Sequence, residues 1–250
     1  MRIMLVNQSN GKDFNHNPPL GILYLASALK RSGHEVAVHD QGARENNLGY
    51  PSFDSVQKFN TEAIGFSLYT FGLTNTLKYI KELKQAFPDI KIILGGHHST
   101  ALPERTMFDC PEADFLVYGE GEITIVELLK AIEDRSDFRN VNGLYYRDRG
   151  NIISTPPRPY SQNLNEIPFP ANEFIQGYTY PSENISKGKK VLNMLAARGC
   201  PFHCAYCNKA VYGSSYRRRS PVNVVDEIEY MFDKFGYDEV MFHDEIVYGQ

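Results

Sequence analysis

The sequence predicts an α/β protein built on a doubly wound parallel sheet, and two features of its 250 residues carry that prediction. Short apolar runs of strand length alternate with longer stretches whose apolar residues recur at helical spacing. Glycines and prolines punctuate the joins. Hydrophobic residues make up 42% and charged residues 22%, which supports a packed core and gives no sign of disorder. The net charge of −4 provides no electrostatic ground for a nucleic-acid or membrane-surface partner. No apolar run nears the roughly 20 residues of a spanning helix. The opening MRIMLVNQSN turns polar too early for a secretory leader. A cytoplasmic protein is expected.

Residues 2–7 (RIMLVN) read as a buried strand. Pro18 to Arg31 reads as a helix: proline stands near its start, Ile22, Leu25, Ala26 and Leu29 share one face, and Gly33 closes it. HEVAVHD (34–40) is the second strand and AIGFSLY (63–69) the third. Thr74 to Phe87 is helical, with Leu77, Ile80, Leu83 and Phe87 in phase and Pro88 as the stop. KIILGG (91–96) and ADFLVY (113–118) are strands four and five, and a helix runs from about Ile123 to Glu133. No internal repeat of solenoid type is present.

The texture changes near residue 140. GLYYRDRGNIIST (143–155) reads as a hairpin turning at Arg149-Gly150-Asn151. Six prolines fall between Pro156 and Pro181, the composition of a connection laid across a surface rather than a flexible tether. A second α/β unit opens with VLNMLAA (191–197). Ser220-Pro221 caps and opens a helix with an expected inner face of Val224, Val225, Ile228, Phe232 and Phe235, and EVMF (239–242) is the next strand. The expected units are therefore 1–140, a connection over 141–188, and 189–250.

Three of the four cysteines, Cys200, Cys204 and Cys207, lie within RGCPFHCAYCN. A disulfide framework would spread its cysteines along a short secreted chain. The spacing Cys-x3-Cys-x2-Cys lets three thiolates on one loop hold three irons of a four-iron cluster and leaves the fourth iron open. Structural zinc wants four ligands, usually in paired Cys-x2-Cys knuckles. His203 could be a fourth, but it sits inside the loop. Cys110 lies far away and reads as a small core or surface residue.

This triad, with Tyr206 just before its last cysteine, resembles the signature of the radical S-adenosylmethionine (SAM) superfamily. PPLGILYLASALKRSGHEV, IILGGHHST, YGEGEITIVELL, GLYYRDRGNII and LNEIPFPA, in that order, resemble the subfamily in which a cobalamin-binding domain precedes the cluster domain. Each phrase is weak alone; their order and spacing ahead of the triad is specific. The resemblance implies a Rossmann-like cobalamin domain followed by the first units of a partial (β/α) barrel. It also implies a 4Fe-4S cluster on Cys200, Cys204 and Cys207, and S-adenosyl-L-methionine near Tyr206, Asp244 and Glu245. Asp244 and Glu245 read equally well as an exposed acidic turn.

In open α/β sheets ligands sit outside the carboxyl ends of the strands. With the resemblance, this makes Ser67, Thr70, Gly95, Gly96, His97, Gly119, Glu120 and Gly121 the candidate cobalamin contacts. His97 and His98 read otherwise as turn residues near the crevice. Many cobalamin proteins place Asp-x-His-x-x-Gly after the first strand, its histidine binding cobalt. Here Asp13 and His16 stand as Asp-x-x-His, with Gly21 five residues beyond. The motif is absent, as is common in the radical subfamily, and His16 reads as a solvated loop residue. The run Arg217-Arg218-Arg219 reads as mainly a solvated face, with one arginine left as a partner for the methionine carboxylate.

The implied activity is reductive cleavage of SAM to a 5′-deoxyadenosyl radical, followed by methyl transfer from cobalamin to an unactivated carbon of a small molecule. A reductant such as flavodoxin or ferredoxin is the implied partner. Three alternatives stay open: a vestigial cobalamin domain with cyclase or rearrangement chemistry, radical chemistry without cobalamin, and a non-catalytic cobalamin- or metal-binding module. Only 43 residues follow Cys207, and a barrel of about six units needs well over 100 more, so the chain is expected to be a fragment or to need a second chain to complete it.

Overall fold

Period-two burial along the strands sets the architecture, because each strand feeds two different cores. In the computed structural model, which describes residues 1–9, 17–47, 49–180 and 190–246, Ile3 and Leu5 of β1 (Arg2–Asn7) face one side and Met4 and Val6 the other. The same alternation separates Ile93 of β4 (Lys91–Gly95) from Ile92 and Leu94. Strands buried on both faces need helices on both faces.

Those helices are present. α1 (Leu20–Arg31) and α6 (Glu122–Asp134) close one side through Ile22, Ala26, Leu29, Ile125, Leu128 and Leu129. α2 (Phe53–Lys58), α3 (Leu73–Ala86) and α5 (Pro103–Asp109) close the other through Val56, Ile80, Leu83 and Met107. β1, β2 (Glu35–Asp40), β3 (Ala63–Ser67), β4 and β5 (Phe115–Val117) are parallel in the order β2-β1-β3-β4-β5. This is a doubly wound α/β sheet with its topological switch between β1 and β3.

The structure differs from the sequence expectation in four places. The hairpin β6 (Leu144–Asp148) and β7 (Asn151–Ser154), expected within the connection, pairs antiparallel onto β5 and completes a seven-stranded sheet. It satisfies the open edge that β5 would otherwise present. The Gly96–Ala101 segment, read as a loop, is a short helix, α4, that starts directly from β4. α2 and α5 went unpredicted because six or seven residues hold too few turns for a periodic signal. The expected strand 191–197 is two strands, β8 (Val191–Met194) and β9 (Ala197–Arg198).

The proline-rich connection is packed. Ala171, Ile175 and Tyr180 are buried, and Ala171 N–H donates to Leu23 O at 3.1 Å. Tyr237 Oη donates to Asn172 Oδ1 at 2.8 Å, which ties the connection to the second unit as well. In that unit β8 pairs in parallel with β11 (Glu239–Phe242), and β9 pairs antiparallel with β10 (Arg217–Arg218). α7 (Pro221–Phe235) opens as its sequence predicts. Ser220 accepts from Asn223 N–H, Pro221 takes the first turn, and left-handed Gly236 closes it. Its inner face is buried Met231 with partly buried Val224, Ile228, Phe232 and Phe235 packed around it. Val225 is 49% exposed rather than inward. The stripe centred on Val224, Ile228 and Met231 leans toward Glu227, which needs burial against its partner Arg219, and Val225 falls off the far edge. Among the described residues no helix is long and apolar enough to cross a membrane.

Candidate functional site

Parallel pairing aligns the strand ends into one row. Asn7, Ser67 and Gly95 are register partners at the carboxyl ends of β1, β3 and β4, and Asp40 ends β2 beside Asn7. Asn7 Nδ2 donates to Asp40 Oδ1 at 2.9 Å, and Gln8 Oε1 accepts Tyr69 N–H at 2.8 Å. These bonds fix the floor of a cavity of ≈ 480 Å³, in the volume range of small-molecule sites.

Seven of the eight residues expected at the crevice line it: Ser67, Gly95, Gly96, His97, Gly119, Glu120 and Gly121. Thr70 is not in the described wall, because its Oγ1 is held by His98 Nδ1 at 2.9 Å. His98 is buried in that bond, whereas His97 lines the cavity with its ring stacked on Tyr69, centroids 5.5 Å apart. Partial desolvation against the cavity wall lowers His97 from the ordinary histidine value, which favours its neutral form. Asp13 and His16 lie outside the described residues.

The second unit supplies the opposite wall through Leu195, Val211, Tyr212, His243 and Glu245, none of them anticipated except Glu245. One cavity is therefore shared by the first sheet and by strand ends flanking the cysteine loop. Glu245 lines it, and partial desolvation there raises its carboxyl above the ordinary range against the opposing N–H of Gly199. Asp244 is half-buried and accepts the N–H groups of Ala196 and Ala197 at 2.8 and 3.0 Å. It is thus no free acidic turn. Burial still lifts it above its usual value, over the pull of those bonds.

The cysteine loop leaves β9 and returns on β10. Cys200 N–H donates to Gly213 O at 3.3 Å across its neck, and Cys207 N–H to Cys204 O at 3.1 Å within it. Cys204 and Cys207 are exposed, Cys200 is half-buried, and all three are free thiols. Tyr206 is 93% exposed. Among the described residues no three His, Cys, Asp or Glu side chains converge into a ready-made metal cage. The donor set of three thiols on one accessible loop nevertheless fits a cluster that takes three protein ligands. Cys110 is fully buried, its thiol pushed up to about 12 by burial and the nearby Glu112, and stands apart from the loop.

The arginine run is not a solvated face. Arg217 and Arg219 are buried, and only Arg218 is exposed. Arg217 Nη1 reaches both carboxylate oxygens of Glu120, at 2.9 and 3.0 Å. Arg198 binds Glu120 at 3.2 Å and Glu122 at 2.6 Å. Burial would raise Glu122, but the charge and hydrogen bond of Arg198 hold it below the ordinary range. Adjacent residues of a strand point to opposite faces, so Arg217 turns inward and Arg218 outward on β10; the run alone does not show this, because the acidic partners lie far away in sequence.

The comparisons agree with this geometry. Residues 12–129 match the B12 binding domain family. The chain carries a B12-binding domain. Over 91% of its length it is 31% identical to an uncharacterized methyltransferase of Pyrococcus horikoshii, covering 49% of that protein. It is 29% identical over 92% of its length to the anaerobic magnesium-protoporphyrin IX monomethyl ester cyclase of Rubrivivax gelatinosus, covering 42% of that protein. The chain thus spans about half the length of the curated relatives it matches. Two solved folds superpose on it. One is the cobalamin-dependent SAM radical enzyme OxsB with aqua-cobalamin and SAM bound (TM-score 0.79, 21% identity, 100% of this chain and 34% of that one). The other is the radical SAM methyltransferase TsrM of Kitasatospora setae with cobalamin and a [4Fe-4S] cluster (TM-score 0.71, 17% identity, 98% and 47%). The B12-binding match begins after β1 and takes in β2 to β5 of the first sheet and part of α6, and the structural likeness continues through the cysteine loop.

Proposed function

We propose that this chain holds the cofactor-binding units of a cobalamin-dependent radical SAM enzyme, most simply a methyltransferase acting on an unactivated carbon of a small molecule. The observation that carries the reading is the shared cavity. Strand ends of a B12-binding domain form one wall, and residues flanking a Cys-x3-Cys-x2-Cys loop form the other. The working division is 1–140 for cobalamin, with the hairpin as the sheet's edge, 141–188 for the connection, and 189–250 for the cluster unit.

When bound, the cluster with SAM would supply a carbon-centred radical and cobalamin a transferable methyl group. The chain's own residues do the rest. Cys200, Cys204 and Cys207 would hold three irons. Tyr206, Asp244 and Glu245 are the candidates for the adenine and the methionine amino group. Ser67, Gly95, Gly96, His97, Gly119 and Gly121 form the cobalamin side. Leu25, Leu195 and Val211 line the cavity with apolar surface that excludes water from a reactive radical. Tyr212, pushed up to about 12 by burial, stays protonated and neutral there. The cytoplasm, where flavodoxin or ferredoxin can deliver the electron, suits three reduced thiols.

Anaerobic reconstitution with iron, sulfide and hydroxocobalamin tests the reading. About four irons and four sulfides and one corrinoid per chain are expected. Tight zinc in place of iron, together with no corrinoid, would remove it.

A further inference from the structure

Four charged side chains occupy the seam between the two walls, and they link the cobalamin crevice to the neck of the cysteine loop. Arg198 lies two residues before Cys200, on the strand that enters the loop, and Arg217 is its register partner on the strand that leaves. Both reach Glu120 Oε1, at 3.2 and 2.9 Å. Glu120 belongs to the segment 119–122 that follows β5 and lines the crevice. All three side chains are nearly sealed, at 3%, 3% and 8% exposure.

Their positions are over-determined. The Arg198 guanidinium lies between the rings of Tyr24 and Tyr212, at 5.2 and 5.1 Å. Arg217 sits 4.9 Å over Tyr160 and donates to Ser161 O and Tyr212 O at 2.8 and 2.9 Å. Glu120 Oε2 also accepts Ser161 N–H at 3.0 Å. A planar fork held at several points transmits displacement instead of absorbing it. The neck leaves no slack: a Cβ on Gly199 would stand 2.2 Å from Ser215 O.

We infer that Arg217 is a positioning residue, acting through Glu120 to couple occupancy of the cobalamin crevice to the set of the cysteine loop. This rests on the cofactor reading above. A ligand against Gly119, Glu120 and Gly121 restrains their carboxylate. That carboxylate holds both strands of the neck, so the loop bearing Cys200, Cys204 and Cys207 becomes ordered before any cluster is built. Arg198 and Glu122 brace the same junction from the second carboxylate.

The test uses the iron-free chain and the alkylation of Cys204 and Cys207 by iodoacetamide, read by mass spectrometry with and without hydroxocobalamin. In the wild type, cobalamin should slow alkylation by about 5-fold or more, the low end of coupling between linked sites. In Arg217→Gln the slowing should disappear, while the cobalamin Kd stays within about 3-fold of wild type, since Arg217 is not a wall residue. Arg217→Lys keeps the charge without the fork and should retain less than half the effect, and it decides the matter if Arg217→Gln fails to fold. Full slowing in either variant overturns the coupling. Cobalamin binding by the wild type with no change in alkylation overturns the coupling alone; no cobalamin binding by the wild type overturns the parent reading and this one with it.

Discussion

Arg219 and Glu227 form an ion pair inside the second unit, and the Glu227 side chain has no solvent exposure at all. Arg219 also donates to Leu195 O at 2.9 Å and to Asn223 Oδ1 at 2.7 Å. It thereby pins the start of α7 to the chain between β8 and β9. Burial raises the Glu227 carboxyl above its ordinary range, and only Arg219 opposes that rise.

Removing the arginine therefore has a pH signature. A carboxyl with a raised folded pKa contributes fully to stability below its unfolded pKa, and that contribution is lost as pH rises through the folded pKa. Arg219→Met should destabilise the chain by about 3–5 kcal/mol at neutral pH, because it strands a buried charge. The penalty should shrink on acidification toward pH 5, where Glu227 can take a proton. Melting curves at pH 5 and pH 8 check this; equal losses at both would show that Glu227 is not the stranded group.

The cysteines divide by environment. Cys204→Ala should drop the iron of reconstituted protein to near background. Cys110→Ala should leave iron intact and cost only about 1 kcal/mol, the loss of one small buried group. Iodoacetamide should label Cys204 and Cys207 in the native fold and reach Cys110 only after unfolding, since burial holds that thiol up to about 12. Full iron in Cys204→Ala would break the assignment of the triad.

Much of this arrangement is legible in the sequence. Strand periodicity and apolar runs mark β1 to β5, and Ser220-Pro221 announces α7. Asn7, Ser67 and Gly95 fall at strand ends, so the crevice follows from the doubly wound topology alone. The second wall does not. Leu195, Val211, Tyr212 and His243 reach the cavity only through the packing of one unit on the other, and no local pattern encodes it. The acidic partners of Arg198 lie more than 70 positions away, at Glu120 and Glu122. A run of three arginines looks solvated until those partners are known.

His97 and His16 bear on the cobalt directly. Without Asp-x-His-x-x-Gly, bound cobalamin should carry no histidine nitrogen on the metal. His97 is committed to its stack on Tyr69, and partial desolvation favours its neutral form. Electron paramagnetic resonance of the cob(II)alamin form should lack nitrogen superhyperfine splitting, and His16→Ala and His97→Ala should leave the spectrum unchanged. His97→Ala should weaken cobalamin binding by about 10-fold, or about 1.4 kcal/mol, through the lost wall. Splitting abolished by either variant would reverse the claim.

Two crevice glycines separate backbone strain from ligand contact. Both hold left-handed conformations, Gly96 at φ +88 and Gly119 at φ +75, where a side chain costs about 1–2 kcal/mol. At Gly96 a Cβ would also stand 2.7 Å from Ser67 Oγ and 2.8 Å from the backbone N of Leu68. The Leu68 backbone cannot yield, because Leu68 N–H is bonded to Gly95 O at 2.8 Å and Leu68 O to His98 N–H at 3.0 Å. At Gly119 a Cβ meets nothing within 4 Å. Gly96→Ala should thus lose stability well beyond the strain cost, with cobalamin affinity falling alongside it. Gly119→Ala should lose only the strain cost, so any larger fall in its cobalamin affinity reports contact with the ligand. Denaturant melts paired with cobalamin titrations separate the cases. Equal stability losses at the two positions would mean that the close approach of α4 to β3 is softer than the geometry requires.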